Sequence, residues 1–236
     1  MAETNFDFFG NTAGDVRRGV TAAFTKPNGG ENFVFGFHSQ ASATVATGFY
    51  ALGTNFNPLR DDSGNPTGCS IRAALKRAPS PNVSGYSIAI FGCLQGASAP
   101  TENDYGYMLG LSSSDPNVIA LAKCAPIAGL DADASTTLRT STETFTWDTW
   151  VHLRLDIIVN PNGDVVLKAS QNNLDITAVT TPYWEAIDGM EDYIDDALAI
   201  NTGSNPMAGG WGGVCFQSEN ANSRALVDHF DIRRQK

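Results

Sequence analysis

Trp150-Val151-His152-Leu153-Arg154-Leu155-Asp156-Ile157-Ile158-Val159, then Asn160-Pro161-Asn162-Gly163-Asp164, then Val165-Val166-Leu167-Lys168-Ala169-Ser170, is the stretch that decides the fold. Val151, Leu153, Leu155, Ile157 and Val159 share one phase of a period-two pattern, while His152, Arg154 and Asp156 take the other. Successive strand side chains point to opposite faces, so this alternation predicts a strand with one buried and one mostly wet face. Asn160 to Asp164 breaks the pattern, and Gly163 is free to adopt positive φ. Val165, Leu167 and Ala169 then alternate back against Val166 and Lys168. The whole reads as a β-hairpin.

The same period recurs on both sides of the hairpin. Phe33, Phe35 and Phe37 alternate with Val34, Gly36 and His38. Ile71, Ala73 and Leu75 alternate with Arg72, Ala74 and Lys76. Tyr86, Ile88 and Ile90, then Tyr107, Leu109 and Leu111, then Val118 to Leu121 give further strands. Gly212 to Gln217 and Arg224 to Arg233 close the chain with strand character. Strands spread along the chain with distant ends suit a Greek-key sandwich better than a meander. From Pro182 to Ile200 the spacing changes: Trp184, Ile187, Met190, Ile194 and Leu198 recur every three or four residues. That spacing predicts a short helical insertion near 184–198 in a long crossing loop. Residues 1–30, rich in Asn, Gly and Thr, read as an extended N-terminal arm. No repeat, low-complexity run or charge block marks a linker, so 1–236 is expected to form a single domain.

Composition agrees. A chain of 236 residues with 42% apolar and 17% charged residues and 23 glycines has the balance of many short strands joined by polar turns. It can bury roughly 70–75% of its unfolded surface, so it needs no staple to fold. A net charge of −10 argues against nucleic-acid binding, which draws on clustered cations; Arg17-Arg18, Lys76-Arg77 and Arg233-Arg234 are small and dispersed. No apolar run approaches the roughly 18–20 residues of a membrane span. Met1 to Asn5 lacks the basic and apolar regions of a secretion signal, so synthesis in a cytoplasm without membrane insertion is expected. Cys69, Cys93, Cys124 and Cys215 form no Cys-x-x-Cys pair and are expected to be small buried thiols rather than disulfides or zinc ligands.

Trp147-Asp148-Thr149-Trp150-Val151-His152-Leu153-Arg154-Leu155, with the return strand Asn162 to Leu167, resembles the concanavalin A-like lectin/glucanase superfamily, including its laminin-G-like and pentraxin-like members. Gly213-Val214-Cys215-Phe216 and Ala225-Leu226-Val227-Asp228-His229-Phe230-Asp231-Ile232 resemble its closing strands. The resemblance covers the second half well and the first half by strand pattern. It implies an all-β, two-sheet antiparallel jelly-roll sandwich. Tyr105-Gly106-Tyr107-Met108-Leu109-Gly110-Leu111 and the Trp184–Asp196 segment also give the chain the style of tailed-phage virion proteins built on this jelly roll. The fold alone does not assign function.

Three constellations bear on function. A glucanase carries carboxylates on one strand face in a Glu-x-Asp-x-x-Glu pattern; Glu185, Asp188 and Glu191 have a different spacing in a segment that reads as helical, so no catalytic residue is assigned. No cofactor is expected. Calcium is the one candidate that the resemblance raises, with Asp61-Asp62-Ser63-Gly64-Asn65, Asp131 with Asp133, and Asp192 with Asp195-Asp196 as oxygen donors, none spaced as a self-contained loop. His38, His152 and His229 all fall on strands, and a zinc triad would require the fold to bring them together. Trp147, Tyr183, Trp184 and Trp211 are candidates to stack on a sugar ring. The expected function is a non-enzymatic structural component of a tailed-phage virion, multimeric with other virion subunits in capsid, tail or baseplate. The alternative is a carbohydrate-binding module that attaches to a host glycan, and a glycoside hydrolase comes last.

Overall fold

The computed structural model describes residues 7–10, 14–19, 34–39, 48–55, 59–60, 63–77, 86–95, 104–112, 115, 117–125, 130, 136–145, 149–172, 184–196, 206, 208–218 and 224–234. Its strands in chain order are β1 (Asp7–Gly10), β2 (Gly14–Gly19), β3 (Val34–Ser39), β4 (Gly48–Asn55) and β5 (Gly68–Arg77). Next come β6 (Tyr86–Leu94), β7 (Gly106–Leu111), β8 (Ile119–Cys124), β9 (Thr137–Thr140) and β10 (Val151–Val159). The last are β11 (Val165–Gln171), β12 (Glu185–Ala186), β13 (Tyr193–Asp195), β14 (Trp211–Ser218) and β15 (Arg224–Arg234). One sheet has seven strands in the order β1-β4-β14-β6-β7-β8-β9. The other has eight, in the order β12-β11-β10-β5-β15-β3-β2, with β13 also pairing β11. Their pairings are antiparallel. The expected all-β, two-sheet sandwich is what the chain forms.

The hairpin read from the sequence is present residue for residue. β10 and β11 pair from Leu153↔Gln171 to Val159↔Val165. Asn160 donates its N–H to the Asp164 carbonyl at 2.9 Å, and Gly163 donates to the Asn160 carbonyl at 3.0 Å. Pro161 and Asn162 are thus the central residues of the turn, and Gly163 at φ 95° takes the left-handed position that follows it. Val151, Leu153, Leu155, Ile157 and Val159 all enter the core between the sheets.

That core joins Ile71, Leu75, Leu153, Leu155, Leu167 and Val227 of one sheet to Ile88, Ile90, Leu109, Leu121, Val214 and Phe216 of the other. Four strands of the seven-stranded sheet, β6, β7, β8 and β14, are also apolar on their other face. Ala89, Phe91, Met108, Ala120, Ala122, Cys124 and Cys215, the alternate residues of the same strands, form a second buried cluster with Leu130 and Trp211. Strands buried on both faces read as near-continuous apolar runs, as β7 and β8 do. At Gly110 the strands approach so closely that any side chain would run into the Ile88 carbonyl and Ala89.

Two expectations change. The helical insertion near 184–198 is not helical over its described residues, 184–196. β12 pairs with Ser170 and Gln171, and β13 pairs with Val165 to Leu167, so this segment lies along the edge of β11 in two pieces. The three-residue spacing of Ile187 and Met190 comes from a tight turn, closed by the Met190 N–H on the Ile187 carbonyl at 2.9 Å with Gly189 at φ 84°. Both side chains are buried by that turn, while Ile194, counted in the same period, is exposed. Leu198 lies outside the described residues. The expected arm, 1–30, is built into the sandwich over part of its length: β1 pairs β4 in one sheet, and β2 pairs β3 in the other. The rest of 1–30 lies outside the described residues.

All four cysteines are free and buried. Burial pushes the Cys93 and Cys124 thiols up to about 12, and Cys69 and Cys215 upward as well. Thermal stability is therefore expected to be the same with and without a reducing agent, as calorimetry will show. Leu155 is paired with Ile71 on one side and Ala169 on the other and has no exposure. Leu155→Asp is expected to cost at least about 3 kcal/mol, or to prevent folding, because it buries a carboxylate in an apolar layer. A soluble variant with an unchanged melting temperature would show the opposite face to be the buried one.

Candidate functional site

With β6, β7, β8 and β14 of the seven-stranded sheet mostly apolar on both faces, a group of polar side chains stands out on the outward face of the eight-stranded sheet. β10 presents His152, Arg154 and Asp156 there, since its odd-numbered residues are committed to the core. Register then fixes the neighbours. His152 stands opposite Ala74, which stands opposite Asp228. Arg154 stands opposite Ser170 and Arg72, and Arg72 opposite Asp231. Asp156 stands opposite Lys168 and Ser70, and Ser70 opposite Arg233.

β15 carries the irregularity that shapes the site. Asp228 pairs with Ala74 and Asp231 with Arg72, so three steps on β15 match two on β5. The extra residue is a β-bulge, and His229 in it has φ 51°, rare for a side chain other than glycine. The bulge changes the parity of the strand: Ala225 and Val227 face the core before it, Ile232 after it. Asp228 accepts the His229 N–H at 2.7 Å. The His229 ring lies 5.9 Å from the His152 ring, and the Trp184 ring lies 4.8 Å from His152 on the other side, edge to face. Three rings therefore form a row across the strands. Trp184 stands just before β12, whose pairing with Ser170 and Gln171 brings it beside β10.

Beside that row runs a band of ion-paired side chains. Arg72 meets Asp231 at 2.8 Å and Arg233 meets the same carboxylate at 2.7 Å. Arg154 meets Asp156 at 2.9 Å, donates from Nε to the Ser70 hydroxyl at 3.1 Å, and lies 5.9 Å from the Trp184 ring centroid. Such half-exposed pairs add little stability, but they fix the planes of the guanidinium groups.

His152 is 8% exposed, and neither of its ring nitrogens has a hydrogen-bond partner; nor does Asp228 Oδ2. Burial, then the nearby His229, then Arg72 lower the His152 pKa from 6.5 to about 4, so the imidazole is neutral at pH 7. Three buried polar atoms without a hydrogen-bond partner thus lie next to three rings.

The other sequence candidates fall elsewhere. His38 lies on β3 opposite Arg224, several residues along β15 from the His152 row. Among the described residues no group of three His, Cys, Asp or Glu is placed to hold a metal. Asp195 turns into the core, where Lys123 meets it at 2.6 Å, and Asp192 pairs with Lys168 at 2.6 Å on the surface, so these two do not converge. Asp61, Asp62, Asp131 and Asp133 lie outside the described residues. Glu185 is on β12, Asp188 in the turn after it and Glu191 beyond that turn, so the three do not share one strand face. The Asp188 N–H donates to Glu143 at 3.0 Å. Trp211 is buried in the second apolar cluster. Trp147 and Tyr183 lie outside the described residues. Sequence reasoning missed Asp228, Arg72 and the bulge, although the parity change between Val227 and Ile232 is a readable sign of the last.

The lowered His152 pKa has a pH consequence. The unfolded chain takes up a proton near 6.5 and the folded chain only near 4, so the unfolded state gains on acidification through that window. Stability is expected to fall by roughly 3 kcal/mol from this group as pH drops from about 6.5 to 4, and His152→Gln to flatten that slope. Denaturant melts at stepped pH will show it; an equal slope in the variant would assign the acid sensitivity to other groups.

No protein-family model matches the chain, and a search of curated proteins finds no match. Solved structures do match. The marine PL-14 alginate lyase from Aplysia kurodai superposes with a TM-score of 0.51 at 11% identity, over 93% of this chain and 87% of that one. The exoplasmic/lumenal domain of VIP36, in its Ca2+/Man3GlcNAc-bound form, gives 0.50 at 11% identity over 98% and 84%. A carbohydrate esterase from Shiga toxin-encoding bacteriophage phi24B gives 0.46 at 10% identity over 96% and 88%. At such identities the likeness is one of fold, and it agrees with the two-sheet topology and with the sequence resemblance: the chain is a concanavalin A-like jelly roll.

Proposed function

We propose that the domain is a non-catalytic glycan-binding module used for attachment to a host surface. The observation that carries this reading is the row Trp184, His152 and His229, flanked by Arg154, Arg72, Asp156 and Asp231, on the outward face of the eight-stranded sheet. A sugar ring has an apolar face that stacks on an aromatic ring and a rim of hydroxyls that both donate and accept. Here the rings supply the platform, and side chains already locked by their own ion pairs supply hydrogen bonds without a large ordering cost. Asp156 and Asp231 are held by arginines as struts, unlike an acid and a base flanking a scissile glycosidic bond. Two structures that share the fold are themselves named for glycans, one bound to Man3GlcNAc and the other an alginate lyase.

The second reading is a structural component of a tailed-phage virion that acts through protein-protein contacts in a multimeric assembly. Among the described residues the chain has two large apolar side chains left exposed, Ile194 at the edge of the eight-stranded sheet and Tyr105 before β7, that a neighbouring subunit would cover. A single particle accommodates both readings, with the module displayed on the virion.

Trp184→Ala is expected to weaken binding to the preferred glycan about tenfold or more, with circular dichroism unchanged. A glycan array followed by titration calorimetry of the hit provides the measurement. Absence of binding across the array, together with a fixed stoichiometry in purified particles by mass spectrometry, would put the structural reading first.

A further inference from the structure

The two sheets meet in the core through a polar contact as well as apolar ones. Tyr107 of β7 is fully buried, and its hydroxyl donates to Asp195 Oδ2 at 2.5 Å. Lys123 of β8 donates from Nζ to the same oxygen at 2.6 Å, and its ammonium lies 5.9 Å from the Tyr107 ring centroid. β7 and β8 belong to the seven-stranded sheet, whereas β13, which carries Asp195, pairs with β11 of the other. The Lys123 and Asp195 side chains are only 12% and 4% exposed. Val165, the register partner of Asp195, and Leu121, the neighbour of Lys123 on β8, belong to the same apolar core.

We propose that Lys123 and Asp195 condense to an intramolecular isopeptide bond that staples one sheet to the other. The reaction needs an amine, a carboxyl carbon in contact with it, an enclosure that excludes water, and a proton donor on the departing oxygen. Lys123, Asp195, the inter-sheet core and Tyr107 supply them in that order. The 2.6 Å hydrogen bond is the path by which the ammonium passes one proton to the carboxylate, leaving an amine with a free lone pair. The Nζ lone pair attacks Cγ and the N–C bond forms. The C–Oδ2 bond then breaks, and that oxygen leaves as water with two protons that began on the lysine ammonium. Tyr107 lends a proton to the departing oxygen and recovers one from the nitrogen. Ammonium plus carboxylate gives amide plus water, with no change of oxidation state and no co-reactant.

The bond would close a loop between residues 72 apart in the chain. Such a crosslink restricts the unfolded chain as a disulfide does, in a protein whose four cysteines are free. It would also hold β13, and with it the turn that leads back to β12 and Trp184, against the opposite sheet.

The test is made on the whole folded chain, denatured only for analysis. Its intact mass is expected to fall one water below the sequence mass, and a digest to contain a branched peptide joining the Lys123 and Asp195 fragments. Lys123→Met and Asp195→Ala are expected to restore the full sequence mass, and Tyr107→Phe to slow the loss of water in freshly refolded protein. Because the branched peptide is read on the unaltered chain, a variant that fails to fold does not decide the matter. A native protein that keeps the full sequence mass after prolonged incubation, and yields only linear peptides, overturns the proposal. So does a Lys123→Met chain that still lacks one water.

Discussion

The strict alternation of β10 is the constraint on which the rest of the sandwich depends. It is flanked by β5 and β11, and its five odd-numbered side chains, Val151 to Val159, are all taken by the inter-sheet core. A slip of one residue would exchange those faces and drive His152, Arg154 and Asp156 inward. Burying one large aliphatic side chain is worth roughly 2 kcal/mol, so five together outweigh any gain from the alternative register. The position of the polar row is therefore not an independent choice. It is the remainder left after the core has claimed the other side of the strand.

The two sheets divide the work unequally. β6, β7, β8 and β14 are apolar on both faces and are enclosed twice over. Apart from Tyr107 and Lys123, which meet Asp195, residues so enclosed stabilise the fold and have little polar chemistry to offer. The outward face of the eight-stranded sheet gathers Arg72, Arg154, Lys168 and Arg233 from a chain whose net charge is −10. Three of those cations are paired with Asp231 and Asp156, and Lys168 with Asp192. The result is a local surface of planar, compensated charge rather than a basic patch.

What was legible in the sequence follows the range of the interactions. The β10–β11 hairpin is local: its period, its turn and its glycine all lie within 21 consecutive residues, Trp150 to Ser170, and each level agrees with the others. β5, β6, β7 and β8 were legible for the same reason. The segment after Trp184 was misread because a tight turn between two short edge strands buries Ile187 and Met190 three residues apart, as one helical turn does. The pairing that settles the matter is with β11, which no local spacing reports. Lys123 and Asp195 are 72 residues apart and on different sheets, so their contact exists only once the sandwich has closed. The ring row was half visible: His152 and His229 were on strands, but their approach depends on register and on the bulge.

Several local costs coincide at that bulge. His229 adopts φ 51°, a conformation that glycine takes freely and that a branched backbone resists by the order of 1 kcal/mol. His152 gives up solvent at both ring nitrogens, and Asp228 does so at one oxygen. Were the same sequence paired as a regular ladder, Ala225 and Val227 would face inward and Ile232 outward, or the reverse. The bulge absorbs the extra residue and so lets both ends of the strand face the core. It does not explain why that residue is a histidine when glycine would remove the strain. The ring is the difference: placed 5.9 Å from His152, it extends the platform begun by Trp184 across β10 to β15. Strain and unmet hydrogen bonds converge beside an aromatic row, and it is on that row, more than on the fold, that the proposed site rests.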